Sequence, residues 1–166
     1  MTGRGPYRYV GPAKLLGHAT TPDNVSADTR AFLGAWLARR DRGELAEPFT
    51  FVVMLDGVLR LAPRRSEHVA LAGGRDVLAA GEVTFVRAAH GWRVAEVTNQ
   101  STGYCPDPDS WPAVREALDG LGVPHPGEFT DKVVFRRCPA CGERNIVREG
   151  DFSCALCDAA LPAECN

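Results

Sequence analysis

The sequence predicts an α+β fold, a mostly antiparallel sheet with two helices packed against it, followed by a small cysteine-rich module. Three observations support this prediction. Two pairs of β-favouring segments flank short turns, as β-hairpins do. Two further segments repeat apolar residues at helical spacing. Four of the six cysteines form two Cys-x-x-Cys pairs near the end of the chain.

The first predicted helix follows a polar N-terminal segment. Asn24 or Ser26 can cap this helix, which runs to about Arg40, and Gly43 would end it. Its apolar face consists of Phe32, Leu33, Trp36 and Leu37. Because the charged residues lie outside this stripe, we expect the helix to pack against the sheet rather than to serve as a dedicated partner-binding helix.

Two hairpins form the predicted sheet. Residues 49–55 and 58–61 flank Asp56-Gly57, a pair that favours a two-residue type I′ turn. Residues 82–87 and 92–98 are rich in valine and aromatic residues and form the second hairpin. The two hairpins together predict a sheet of four or more strands.

The second predicted helix begins near Asp109 or Ser110, because either residue can cap it and the first helical turn accepts Pro112. Gly120 and Gly122 close this helix. Residues 66–81, which lie between the two hairpins, show both helical and strand patterns and are assigned to neither a helix nor a strand. The apolar face of the second helix consists of Trp111, Val114, Leu118 and Leu121.

Length and proline content divide the chain into two parts. With 166 residues it fits one domain plus an appendage. We assign residues 1–122 to the α+β domain and residues 132–166 to the cysteine-rich module. Residues 123–131 form a Pro/Gly linker between them, because proline stiffens the backbone and removes hydrogen-bond donors.

Composition excludes several classes of protein. With 45% hydrophobic and 24% charged residues, the chain can bury a core and is not intrinsically disordered. A net charge of -2 creates no positive field for nucleic acid, which is therefore not the expected partner. The N-terminal residues lack the apolar run of a secretory signal, and no stretch approaches the roughly 20 apolar residues of a membrane span. We therefore expect a cytoplasmic protein that does not contact membranes.

The two Cys-x-x-Cys pairs predict one metal site. A single tight turn lets both thiolates of a pair bind the same ion, and residues 145–149 and 151–153 can form a hairpin that brings the two turns together. We predict tetrahedral Zn²⁺, which would be structural because four thiolates leave no open coordination position. The alternative, a redox-active Cys-x-x-Cys, places a single motif at the start of a helix. The predicted ligands are Cys138, Cys141, Cys154 and Cys157.

Residues 138–162 resemble the zinc-ribbon family. CPAC followed by Gly142 matches the usual first knuckle, and CALCDAALP matches the second, except that Asp158 occupies a position where glycine is common. Basic and acidic side chains alternate in this region. Mixed charge favours an ordinary solvated surface over a nucleic-acid-binding face.

Three places in the first domain could carry chemistry. The predicted catalytic residues are His68 as an acid-base group, Glu82 as a strand-end carboxylate and Cys105 as a nucleophile. Each has an ordinary alternative: a polar loop residue, a solvent-facing carboxylate and a small buried thiol. The predicted binding residues are Ser66, Glu67, Ser101 and Tyr104.

Four short features follow one another over residues 66–106. They are Glu67-His68, Gly73-Gly74, an Ala-Ala-Gly at residues 79–81, and the run Ser101-Thr102-Gly103-Tyr104 with Pro106. In this order they resemble a segment shared by plant IQ-motif calmodulin-binding proteins and uncharacterised bacterial proteins. That segment carries a histidine where Gly103 stands here, and the chain has no IQ motif, so calmodulin binding does not transfer. The resemblance implies a shared pocket-forming fold and supplies no reaction.

Three functions are compatible with these features. The leading hypothesis is a zinc-containing binding or adaptor protein that acts with another macromolecule, a protein in the first instance. The alternative is a small enzyme whose pocket is formed by His68, Glu82 and residues 99–105. A nucleic-acid-binding protein ranks last, because it would need a basic face of one sign.

Overall fold

The structure is a computed structural model that describes residues 6–16, 23–164 and 166. Its main sheet has five strands, all paired antiparallel. These are β1 (Val25–Ala27), β2 (Phe49–Met54), β3 (Leu59–Ala62), β4 (Val77–Ala88) and β5 (Gly91–Val97). Their spatial order is β1-β3-β2-β4-β5. The predicted α+β class with a mostly antiparallel sheet is confirmed.

Within the described residues, four α-helices accompany this sheet, and single 3₁₀ turns occur at Ala13–Leu15 and Pro108–Ser110. The helices are α1 (Arg30–Ala38), α2 (Arg42–Leu45), α3 (His68–Leu71) and α4 (Trp111–Leu121). Helices α1 and α4 cover one face, where Trp36, Phe49 and Leu118 belong to the main core. Helix α3 covers the other face, where Val52 and Val69 pack together. Every residue of β2 is buried because the sheet is covered on both faces.

Helix α1 begins later than the sequence predicted. Thr29 caps it, instead of Asn24 or Ser26, and Thr29 Oγ1 accepts a hydrogen bond from Phe32 N over 3.1 Å. Residues 25–27 instead pair with β3, which buries the two apolar side chains of this segment. Phe32 was predicted on the apolar face but is 56% exposed, because the helix turns its other apolar residues toward the sheet.

The β2–β3 hairpin is confirmed, but its turn is not type I′. That turn needs a positive φ at both central residues, whereas Gly57 has a φ of 84° and Asp56 does not have a positive φ. Gly57 N donates to Met54 O over 2.8 Å, and Met54 N donates to Val58 O over 3.0 Å. This pattern closes a three-residue loop in which the glycine forms a bulge. The second hairpin, β4–β5, is also present.

Two short strands form the sheet of the C-terminal module, β6 (Val134–Arg137) and β7 (Arg144–Val147). The sequence predicted a hairpin around Gly150, but there the structure has a single bridge between Arg148 and Asp151. Strand β7 pairs with β6 instead, and this pairing includes the buried Phe135.

The segment predicted as a linker, residues 123–131, packs against the main sheet. Val123 and Phe129 are buried in the main core. Thr130 N donates to Val97 O over 2.8 Å, which joins the segment to the end of β5. The longest helix of the described ranges has 11 residues, and no helix in these ranges has both the length and the apolar character that crossing a bilayer requires.

Candidate metal centre

Four cysteine thiols meet between the two turns of the C-terminal module, as predicted. Their Sγ atoms all lie within 4.8 Å of one another. The Sγ atoms of Cys138 and Cys157 are 3.6 Å apart, and so are those of Cys141 and Cys154. Four sulfurs bound tetrahedrally to one metal ion at about 2.3 Å would lie roughly 3.8 Å apart. The cluster therefore has the geometry to hold one metal ion.

The two turns share one hydrogen-bond pattern. Gly142 N donates to Cys138 O over 2.9 Å, and Asp158 N donates to Cys154 O over 2.8 Å. The residue after each pair adopts a left-handed conformation, with φ of 80° at Gly142 and 66° at Asp158. This conformation costs a non-glycine residue about 1 kcal/mol, and aspartate is among the residues that adopt it most readily. Asp158 therefore takes the same backbone shape as the glycine of the first turn.

Asn145 supports the second turn from β7. Its Oδ1 accepts a hydrogen bond from Ala155 N over 2.9 Å, and its Nδ2 lies 3.5 Å from Cys154 Sγ. The backbone N–H of Cys157 is the main cause that lowers the pKa of the Cys154 thiol to about 6, and Asn145 and the N–H of Leu156 act in the same direction against burial. The thiolate is the form of cysteine that binds metal. These donors therefore favour the form of Cys154 that can act as a ligand.

Asn99 connects the module to the end of the main sheet. This residue is 0% exposed. Its Nδ2 donates to Pro106 O over 2.9 Å and to Val133 O over 2.7 Å, and its Oδ1 accepts from Val133 N over 2.7 Å. One side chain thus joins the loop after β5 to the backbone that enters β6.

Arg136 makes a second connection from β6. It is buried, and its Nη1 lies 3.2 Å from Asp107 Oδ1 in the loop that precedes α4. The same guanidinium donates to Phe135 O over 2.7 Å and to Ala163 O over 3.1 Å. These contacts pair the charge and bond both terminal nitrogens, which offsets part of the cost of burying the arginine. The cysteine-rich module and the main sheet therefore share a hydrogen-bonded interface.

The predicted catalytic residues lie elsewhere, outside the C-terminal module. His68 begins α3, and its Nε2 lies 2.8 Å from Gly81 O, so the neutral ring donates there. Glu82 follows Gly81 on β4 and lies opposite Thr50 of β2. Cys105 is buried, with its thiol 3.3 Å from Thr102 O.

Three of the four predicted binding residues are also held by contacts within the fold. Ser66 Oγ donates to Pro63 O over 2.7 Å, while Glu67 precedes α3 and is exposed. Ser101 Oγ accepts from Tyr104 N over 3.3 Å. The Tyr104 hydroxyl donates to a backbone carbonyl over 2.6 Å, and burial is the main cause that raises its pKa to about 12. Catalysis or ligand binding by these residues stays a prediction.

Burial lowers the pKa of His68, and its hydrogen bond to Gly81 O opposes this shift only in part. Because the folded state binds this proton less well than the unfolded state, His68 contributes its full stability above the unfolded pKa of about 6.5. That stability is lost as pH falls toward the pKa of the folded state. We expect His68→Gln, which keeps a donor for Gly81 O, to lack this dependence. In thermal unfolding with excess zinc, the Tm of the wild type should fall more steeply than that of the variant between about pH 7.5 and pH 5.5. Parallel Tm curves for the two proteins would contradict the prediction.

Two cavities lie away from these residues. One of about 460 Å³ is on the module and includes Arg148 and Leu156 in its lining. Another of about 400 Å³ lies beside α1 and is lined by Arg30, Gly34 and Trp92, among others. Neither cavity is lined by a predicted catalytic residue. Neither Asn145 nor these cavity residues belong to a sequence motif that predicts a site; for the second cavity, the one signal in the sequence was a glycine inside a predicted helix.

Comparison with protein families, with curated proteins and with solved structures finds no match for this chain. The resemblances to zinc ribbons and to the IQ-motif proteins therefore depend on the quoted residues alone.

Proposed function

We propose that the four cysteines bind one structural Zn²⁺ and that the zinc-bound module presents a docking surface to another protein. The observation that carries this proposal is Leu156, which is 69% exposed although it lies between two predicted ligands, Cys154 and Cys157. A metal bound by its neighbours would hold this apolar side chain in one position on the surface.

The donor set supports zinc. Four thiolates in a compact cluster suit Zn²⁺, which takes tetrahedral sulfur ligands in structural sites. Such a site is closed, so the ion would stabilise the fold and would not activate water. Thiolates stay reduced and available for metal in the cytoplasm, which is the compartment that we propose for this protein.

The docking surface consists of the exposed side of β7 and the second turn. Ile146 of β7, which is partly buried, lines the same cavity as Leu156. Arg144 and Arg148 border the same cavity of about 460 Å³ as Leu156. The buried centre of a protein-protein interface is more apolar than the rest of the surface, and interfaces are enriched in arginine, so an exposed leucine flanked by arginine is compatible with such a centre.

The partner that this surface fits is a protein segment with apolar and acidic residues. Arg144 and Arg148 would pair with carboxylates, while Leu156 would contact an apolar side chain. Glu143 and Glu149 lie next to these arginines in sequence, which opposes a partner of dense, continuous negative charge such as a polyphosphate backbone.

Site-specific photocrosslinking tests the proposal. A photoreactive phenylalanine analogue at position 156 should form adducts with a protein in cells that naturally make this chain. The matched control is position 55, where Leu55 is 56% exposed and lies on the β2–β3 turn of the main sheet, outside the docking surface. We expect adducts from position 156 and not from position 55.

Binding of the purified partner completes the test. Leu156→Ser should weaken that binding at least about tenfold, because an interface anchor contributes about 1.4 kcal/mol or more, while Leu55→Ser should leave it unchanged. Protein that remains monomeric and forms no adduct from position 156 would refute the docking role. A nuclease-sensitive adduct would also refute it, in favour of nucleic acid. Metal analysis separately tests for one zinc ion per chain.

A further inference from the structure

We infer that the cavity of about 400 Å³ beside α1 binds a small apolar carboxylate. This cavity lies where the beginning of α1, the turn between β4 and β5 and the segment after α4 meet. Its volume falls within the range of about 300–1,000 Å³ that is typical of small-ligand sites. The inference is independent of the metal centre and of the docking surface.

Gly34 opens this cavity. A Cβ built on Gly34 would have one neighbour within 4 Å, Trp92 Cδ1 at 4.0 Å, so the backbone leaves room for a side chain. Glycine in a helix interior costs about 1 kcal/mol relative to alanine. The fold would therefore be more stable with alanine at this position. The missing side chain instead leaves space between α1 and the indole of Trp92.

The walls of the cavity are apolar. Leu33 and Val123 are buried side chains of the main core, and Trp92 is 9% exposed. A flat aromatic wall with aliphatic neighbours favours a hydrocarbon chain or a ring over a polar ligand. Water in such a space gains few hydrogen bonds, so displacing it by an apolar group is favourable.

Arg30 gives the cavity its charge preference. It is the one charged side chain among the described lining residues, and it is exposed at the rim. Its Nη2 donates to His90 O, which holds the guanidinium beside the turn. A guanidinium has five N–H donors and can bind a carboxylate through two parallel hydrogen bonds. The ligand class that matches both the walls and the rim is an apolar molecule with one terminal carboxylate.

Calorimetric titration with octanoate and octan-1-ol tests this inference on the zinc-loaded full chain. Octanoate should bind saturably at one site per chain, and at least about tenfold more tightly than octan-1-ol, because only the acid pairs with the guanidinium. Arg30→Gln should remove this difference between the two probes. Gly34→Leu should abolish binding by filling the cavity. Ala35→Leu is the matched control on the exposed side of α1 and should bind octanoate as the wild type does.

The wild-type titrations decide the inference even if a cavity variant fails to fold. Absence of saturable octanoate binding would overturn it, and so would equal affinity for the acid and the alcohol. If Gly34→Leu is folded and binds octanoate normally, the ligand lies elsewhere and the assignment is wrong. Should Gly34→Leu not fold, Gly34→Ala, for which the structure has room, should weaken octanoate binding; unchanged binding would count against the inference.

Discussion

Removal of the metal should unfold the C-terminal module and leave the five-stranded sheet folded. The buried apolar cluster of the module is very small and consists of Cys138, Cys154 and Leu161. A core of this size cannot offset the conformational entropy of the chain without a metal or another crosslink. Structural zinc sites contribute about 10–16 kcal/mol of apparent binding free energy at neutral pH, and most of this is coupled to folding.

Two-dimensional amide NMR before and after addition of a zinc chelator would measure this effect. Signals from β6 and β7 should move to unfolded positions, while those from β2 and β4 should persist. Cys154→Ser should produce the same change and lose the metal, because serine does not supply a thiolate. Cys105→Ser is the matched control. Because Cys105 lies outside the cluster, this variant should retain one zinc ion per chain. If all four predicted ligands were changed to serine and the zinc content stayed at one per chain, the assignment of the metal site would be wrong.

The second large effect is expected for Gly81→Ala in β4. A Cβ on Gly81 would lie 1.9 Å from Thr98 O and 3.1 Å from Asn99 Cα, both of them backbone atoms. The chain after β5 must therefore shift. This shift would disturb the hydrogen bond that Thr98 N donates to Glu82 O over 2.8 Å. A shift there would also disturb the hydrogen bonds of Asn99. We expect a loss of about 3 kcal/mol or more in the free energy of unfolding, or a failure to fold.

Urea unfolding of the zinc-saturated protein would measure the cost. Gly120→Ala provides the control, because a Cβ on this α4 glycine would have no neighbour within 4 Å. Replacing that glycine by alanine should stabilise the protein by up to about 1 kcal/mol. A Gly81→Ala protein as stable as the wild type would show that the chain at Thr98 can move away from β4 at little cost.

Local sequence patterns predicted the parts of the fold that depend on local interactions. The strands around Asp56-Gly57 and helix α4 have strong periodicity and turn chemistry, and both are present. Strand β1 was missed because it has three residues and forms only by pairing with β3, more than thirty residues later in the chain. The turn type was missed because Asp-Gly is compatible with more than one loop length.

The clustering of the four cysteines was predictable for a similar reason. Two closely spaced thiols in each pair define a local turn, and two such turns complete one site. Its surroundings were not predictable, because Asn145 contacts the second turn and Asn99 contacts Val133 only after distant segments have folded together. The cavity beside α1 depends in the same way on where Gly34 lies relative to Trp92.

The contacts of Asn99 and Arg136 fix the orientation of the C-terminal module relative to the main sheet. A flexible tether would let a bound partner sample many directions around the rest of the protein. Here, one buried amide and one partly buried ion pair join the two parts through hydrogen bonds. A molecule anchored at Leu156 would therefore be presented at a defined angle to the main sheet. The distance between that molecule and one bound to the main sheet would then be set by the fold rather than by the length of a flexible chain.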